Sequence, residues 1–225
     1  MKPRQNQREQ LIFQEKLQVH GTQPPSEWVR RWTHLVQPGT TVLDVACGAG
    51  RHLRWLRAQG YAVVGVDASP QALSACAGLG ELVCADLENG PWPFAGRSFG
   101  AVVVTNYLWR PLFPMLVQSL APGGVLIYET FAQGNETVGR PARPEFLLRP
   151  GELLQVCAGL HIVAYEDGFL MQPDRFVQRI AAVQPADSRG AGKAPARFPL
   201  QAGAVISVKA AMANDLVHAS QGISL

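Results

Sequence analysis

At 225 residues, with 47% hydrophobic and 16% charged side chains, the chain is long enough to bury one sizeable α/β core. A net charge of +3 is too small for the general electrostatic footprint of a nucleic-acid-binding domain. No apolar run reaches the roughly 18–20 residues that cross a bilayer. The four cysteines (Cys47, Cys76, Cys84, Cys157) include no C-x-x-C pair and have no histidine cluster nearby, which argues against a disulfide framework or a metal site. Reduced thiols and a polar N-terminus without an apolar signal core fit a cytoplasmic protein.

Residues 1–38 read as a helical arm. Leu11, Ile12, Phe13 and Leu17 fall on one helical stripe, and Pro24-Pro25 then interrupts. Ser26 is placed to cap a helix over 27–36 that presents Trp28, Val29, Trp32 and Leu35 to one side, with core packing as the expected role of both tryptophans. The basic residues of this arm, among them Lys2, Arg4, Arg8, Arg30 and Arg31, read as a solvated face.

From 39 to 184 the pattern alternates. An apolar run at 41–45 stops at Ala46-Cys47-Gly48-Ala49-Gly50, and a helix follows over 51–59 with Gly60 as its C-cap. Strands are expected at 62–66, 82–85, 101–105 and 125–130, with helices opening at Ser69-Pro70 and over 112–120. The stretch 131–149, with two prolines and three arginines (Arg140, Arg143, Arg149), reads as a long binding loop or lid. A helix over 151–158 and two strands at 162–166 and 176–183 close the domain. Residues 185–225 read as a low-complexity tail, with a disordered composition over 185–204 and ambiguous apolar segments at 205–208 and 210–217. The fold class expected is α/β, a doubly wound, mostly parallel seven-stranded sheet with helices on both faces.

In such sheets ligands bind beyond the C-terminal strand ends. Asp44, Asp67, Asp86, Asn106 and Glu129 fall at or near five of those ends and together make a candidate site. The glycine turn between the first strand and its helix lets a ligand approach the backbone closely. Asp44, just before it, suits a cationic ligand better than a pyrophosphate.

The run from Asp44 to Gly50, D-x-A-C-G-A-G, resembles the first motif of the S-adenosylmethionine-dependent methyltransferases with a Rossmann-like fold. That family usually has glycine where this chain has Ala46, so the turn is expected to avoid positive φ there. The resemblance spans about 41–183 and implies S-adenosyl-L-methionine as cofactor. It implies Asp44, Ala46, Cys47, Gly48 and Gly50 at the cofactor turn, Asp67 with Ala68 at the ribose hydroxyls, Asp86 and Leu87 at the adenine, and Asn106 and Tyr107 beside the reactive methyl. Gly100 stands where the family often has aspartate, at the far end of its strand, so only a structural consequence is expected. Candidates for contact with the acceptor are Tyr107, Arg110 and Glu129: Arg110 as a clamp for a carboxylate or phosphate, Glu129 as a base, a cation ligand or a support for Arg110. His20 and His52 are further possible bases. The stretch 129–154 weakly resembles the bacterial tellurite-resistance type of methyltransferase and suggests a small-molecule acceptor.

Three alternatives stand beside this reading. An NAD-dependent oxidoreductase would need a third fingerprint glycine where this chain has Leu53. An RNA methyltransferase is disfavoured, because Asn106-Tyr107-Leu108-Trp109 is not N-P-P-Y and no cysteine sits in a P-C motif. A non-catalytic cofactor-binding partner subunit would share the same pocket.

Overall fold

The computed structural model describes Gly21, residues 23–186 and residues 196–201. In chain order it contains α1 (Glu27–Trp32), β1 (Thr41–Val45), α2 (Arg51–Ala58), β2 (Ala62–Asp67), α3 (Pro70–Ser74), β3 (Glu81–Cys84), β4 (Phe99–Thr105), α4 (Phe113–Gln118), β5 (Leu120–Phe131), α5 (Glu152–Val156), β6 (His161–Leu170) and β7 (Arg175–Val183). The strands form one sheet in the order β3-β2-β1-β4-β5-β7-β6. The first five pair in parallel, and β7 runs antiparallel to both β5 and β6. The expected doubly wound sheet of seven strands is therefore present. Its strand order reverses between β1 and β4, and a parallel sheet opens a crevice at that point.

Each strand feeds both faces, because successive side chains alternate. Leu43, Val45, Val102, Val104, Leu126 and Tyr128 enter one core layer. Val42, Ala101, Val103, Val125 and Ile127 enter the other, where α1 and α2 supply Trp28, Trp32, Leu53 and Leu56. Asp44, Glu129 and Arg179 lie at alternating positions of this second face, so it carries charge where the cleft opens. Ser26 caps α1, its Oγ accepting from the amides of Trp28 (3.1 Å) and Val29 (3.4 Å). Both tryptophans are buried as expected, each contributing about 3 kcal/mol of apolar burial. The Trp28 indole N–H donates to the Ile180 carbonyl, and that of Trp32 has no partner among the described residues.

Several boundaries differ from the sequence reading. The helix expected over 27–36 closes at Trp32 and tightens into a 3-10 turn over Thr33–Leu35, where the Thr33 hydroxyl donates to the Val29 carbonyl at 2.6 Å. β5 starts at Leu120, not 125, because Leu120 pairs with Phe99 across a register break that absorbs the Pro122-Gly123-Gly124 turn. β6 extends to Leu170, four residues past the expected end, since it stays in register with β7 down to Arg175. Gly100 has a steric reason: a Cβ there would stand 2.1 Å from Thr40 Oγ1.

Residues 196–201 of the expected tail are among those described. Phe198 lies 4.7 Å from the His161 ring, and the Pro199 carbonyl lies 2.9 Å from His34 Nε2. This piece therefore packs beside β6 and the 3-10 turn that follows α1. The stripe at 11–17 and the segments at 205–208 and 210–217 lie outside the described residues. No helix among the described residues is long and apolar enough to cross a membrane.

Candidate functional site

The turn after β1 is built from three left-handed residues. Ala46 (φ 53°), Gly48 (φ 53°) and Gly50 (φ 79°) reverse the chain so that α2 begins at Arg51. The expectation for Ala46 is thus overturned: this alanine does take positive φ. A Cβ costs about 1–2 kcal/mol in that region, and strain of this kind gathers at functional turns. The fold over-determines it, because the Cys47 amide is held by the Val66 carbonyl and the Gly50 amide by the Cys47 carbonyl, both at 3.0 Å. Ala46→Gly is therefore expected to stabilise the protein by up to about 1 kcal/mol, set by the relieved strain less the added chain entropy. Urea denaturation checks this, and a destabilised variant would show that the methyl group is held by contacts instead. Asn106, at the end of β4, has φ 55° as well, a region asparagine visits routinely, so left-handed residues close both β1 and β4.

A cleft of about 280 Å³ opens over this turn, lined by Gln23, Ala46, Cys47, Gly48, Ala49, Arg51, His52, Thr105 and Asn106. Among the described residues nothing lies within 4 Å of where a Cβ on Gly48 would sit. Asp67, at the end of β2, accepts from the Gly48 amide (2.8 Å, Oδ2) and the Ser69 amide (2.9 Å, Oδ1). It ties the turn to the next strand while its remaining lone pairs stay free for a ligand.

Asp44 is 1% exposed, and among the described residues its Oδ2 has no hydrogen-bond partner. Burial pushes its carboxyl up to about 8; the Arg51 charge opposes this, and Cys76 and Asp67 add to it. Its neighbour is His52, with Nδ1 3.8 Å from Oδ2. The Ser26 amide donates to His52 Nε2 at 3.1 Å, which assigns the ring hydrogen to Nδ1, facing Asp44. Burial, with Arg51 beside it, pulls His52 down to about 3, so the ring is neutral. His52 is therefore a spacer between α1 and Asp44, with neither nitrogen free to act as a base. His20 lies outside the described residues.

Beyond Ser26 the polar chain continues. Ser26 Oγ donates to Glu129 Oε1 (3.0 Å), and Arg179 Nη1 reaches Glu129 Oε2 (3.2 Å). Arg179 also binds Glu166 and stacks 4.7 Å over the Trp28 ring. Glu129 is 5% exposed and does not touch Arg110, so its expected part in orienting that arginine is corrected.

Arg110 is also not a free clamp. Its Nε and Nη2 grip Glu152 at 2.7 and 2.9 Å, while Nη1 and Nη2 donate to the carbonyls of Glu145 and Leu147, each at 2.8 Å. Burial acts to raise the Glu152 carboxyl, but hydrogen bonds from Arg110 and Arg149 overcome it and hold it near about 2. Arg110 is thus a tether for the 131–149 loop, of which the Arg149 carbonyl is fixed in turn by Gln178 at 2.6 Å.

The remaining expected residues are spread along the strand ends. Ala68 is exposed after Asp67, and Leu87 is buried in the core. Asp86 caps the following turn, accepting from the amides of Glu88 (2.9 Å) and Asn89 (3.1 Å) and from the Asn89 side chain. The Asn106 amide donates to the Glu129 carbonyl at 2.9 Å, joining β4 to β5. Tyr107 lines a second hollow of about 230 Å³ with Leu108, Thr130, Phe131, Pro141 and Phe146, and Asn106 borders both spaces. Burial raises the Tyr107 phenol, with Glu88, Asp86 and Asp67 adding to it, so it stays protonated. A larger, open hollow of about 550 Å³ lies at the opposite ends of the strands, around Thr41, Tyr61 and Glu81, away from the turn. Sequence reasoning missed Arg51, Gln23 and Thr105 as cleft residues. Arg51 had a signal, as the first residue after the glycine turn, whereas Gln23 and Thr105 carry none.

The chain has the fold of the class I methyltransferases, and residues 42–124 match the model of a methyltransferase domain. A ribosomal protein L11 methyltransferase of Burkholderia thailandensis is 36% identical over 110 residues, covering 46% of this chain and 36% of that protein. The chain spans about a third of the length of such curated relatives. Among solved structures, TehB from Haemophilus influenzae superposes with a TM-score of 0.59 at 16% identity, over 72% of this chain and 63% of that one. An S-adenosylmethionine-dependent methyltransferase from Methanosarcina mazei superposes with a TM-score of 0.57 at 16% identity, over 73% of this chain and all of the other. At these identities the superpositions speak for the fold alone.

Proposed function

We propose that the chain transfers a methyl group from S-adenosylmethionine to a small-molecule acceptor. The observation that carries this is the pair of hollows that meet at Asn106, one over the glycine turn and one under the tethered loop. The first suits the methionine end of the cofactor: Arg51 lies there for the carboxylate, and Asp44, with a buried oxygen unpartnered among the described residues, lies below for the ammonium. Asp67 serves the ribose hydroxyls, with Ala68 beside it; Asp86 and the Leu87 amide serve the adenine. The cofactor supplies an already electrophilic methyl, so the protein's task is to position the acceptor and exclude water. Tyr107, Phe131 and Phe146 wall the acceptor side, and Arg110 and Glu152 hold that wall in place.

A cation placed beside Asp44 adds a linkage. At pH 7 the folded protein holds this carboxyl protonated, with a pKa of about 8. A bound ammonium favours the carboxylate, so binding of S-adenosylhomocysteine is expected to release close to one proton at pH 7 and to tighten as pH rises from about 6 to 8. Calorimetry in two buffers of different ionisation enthalpy reads the proton count. Zero release, or release unchanged in Asp44→Asn, would place the ammonium elsewhere.

The acceptor class is tested by S-adenosylhomocysteine formation from the purified chain with a panel of small amines, thiols, phenols and carboxylates. Turnover with one of them supports the reading. The relatives' name favours one other reading, a protein acceptor. Turnover with ribosomal protein L11 and with none of the panel would replace the small molecule by a protein. Cofactor binding without turnover would leave a partner subunit as the explanation.

A further inference from the structure

Two cysteines stand together inside the cofactor turn. Cys47 is the second residue of the turn, and Cys76 follows α3 across the β2 crossover. Both sulfurs lie against one acceptor, the Gly48 carbonyl, at 3.7 Å from Cys47 Sγ and 3.5 Å from Cys76 Sγ; Cys76 Sγ is equally close to the Ala72 carbonyl, and the two thiols contact each other. Two glycines make this room. A Cβ on Gly50 would stand 2.6 Å from Cys76 Sγ, and one on Gly65 would stand 2.9 Å from Cys47 Sγ. The methyltransferase reading gives this pair no task.

We propose that Cys47 and Cys76 form an oxidation site, at which a peroxide links them by a disulfide and thereby weakens cofactor binding. The second half rests on the methyltransferase reading of the turn. The route in is the cleft itself, since Cys47 lines it, whereas Cys76 is fully buried. Cys47 is therefore the sulfur that meets the peroxide, and Cys76 accepts its proton. Contact with Cys47 lowers the Cys76 pKa against the opposing effects of burial and Asp67, and the Arg54 charge lowers it further. Arg54 Nη1 and Nη2 are fixed on the Ala49 and Ala75 carbonyls, one in the turn and one beside Cys76.

The chemistry balances in two steps. Cys47 sulfur attacks a peroxide oxygen as its proton passes to the Cys76 thiolate; the O–O bond breaks, and the leaving oxygen departs as water or alcohol with a proton from solvent, giving a sulfenic acid on Cys47. Cys76 sulfur then attacks the Cys47 sulfur; the S–O bond breaks, and the Cys76 proton leaves with the hydroxide as water. Both thiols are oxidised, and one peroxide is reduced.

The link must alter the turn. A disulfide draws its sulfurs to about 2.0 Å, inside any hydrogen-bond contact between thiols. It removes both S–H groups beside the carbonyl of Gly48, the residue whose amide binds Asp67. On the Gly50 side there is no slack, because Cys76 sulfur already occupies the space of the missing side chain.

The test uses the full chain, reduced and then treated with hydrogen peroxide. The intact mass is expected to fall by two hydrogens, and a non-reducing peptide map to join the Cys47 and Cys76 peptides. Affinity for S-adenosylhomocysteine is expected to fall about tenfold or more, and to return on reduction with dithiothreitol. Bound S-adenosylhomocysteine should slow the reaction by covering the cleft. Cys76→Ser, with Cys76→Ala as a second variant, should bind like the reduced parent and lose its response to peroxide. A map that joins neither peptide, or a joined pair with unchanged affinity, overturns the proposal. If the reduced chain itself fails to bind S-adenosylhomocysteine, the cofactor reading fails, while the peptide map still reports on the disulfide.

Discussion

Asp67→Ala is expected to weaken S-adenosylhomocysteine binding by about 2–3 kcal/mol, roughly 30- to 150-fold. The carboxylate has two tasks at once. Its oxygens hold the amides of Gly48 and Ser69, so it fixes both the turn and the start of α3. In the proposed complex the same oxygens accept the two ribose hydroxyls. Alanine removes every one of these acceptors and leaves donors without partners, which costs more than the bonds themselves are worth. Asp67→Asn keeps one acceptor oxygen and should fall between the two. Calorimetric titration with a melting curve alongside measures the effect. A correctly folded Asp67→Ala protein with parental affinity would take Asp67 out of the site.

The largest effect on stability is expected at Arg179. Its guanidinium is 8% exposed and neutralises Glu129, which is 5% exposed. Arg179→Met should destabilise the fold by about 3–5 kcal/mol, because it leaves a buried carboxylate without its partner and takes the cation off the Trp28 face. Adding Glu129→Gln should recover most of the loss: the amide oxygen still accepts from Ser26, and no charge remains to be compensated. Urea denaturation of the two single variants and the double variant reads the coupling. Additive losses would mean that the pair contributes through packing alone.

The five parallel strands were legible in the sequence because each carries an apolar run bounded by a turn, and their C-terminal ends because a polar residue stops the run; β6, with Glu166 and Asp167 inside it, continues four residues past its expected end. The alternation of strands and helices was enough for a parallel sheet. Three kinds of feature were not legible. Ala46 takes a conformation that its own Cβ disfavours, held there by backbone bonds from β2, and nothing in its neighbours along the chain announces that. Arg110 and Glu152 are 42 residues apart, so their bidentate pair is set by tertiary packing. Glu129 finds Ser26 and Arg179 only when α1 lies on the sheet face that both strands share. In each case the deciding partner is distant in sequence, whereas the ends of the parallel strands are decided locally.

The tether from Arg110 to the 131–149 loop bears on how an acceptor is received. Its guanidinium bonds and the Gln178 bond to Arg149 are made entirely between groups of the chain itself. The ordering of that wall is therefore completed during folding, and an acceptor meets a surface already in shape. Preorganised surfaces bind with a smaller entropic penalty and little backbone movement. Acceptor association should accordingly follow one exponential phase, with a rate that rises linearly with acceptor concentration, and cutting the tether should add a slow, concentration-independent phase as the loop finds its place.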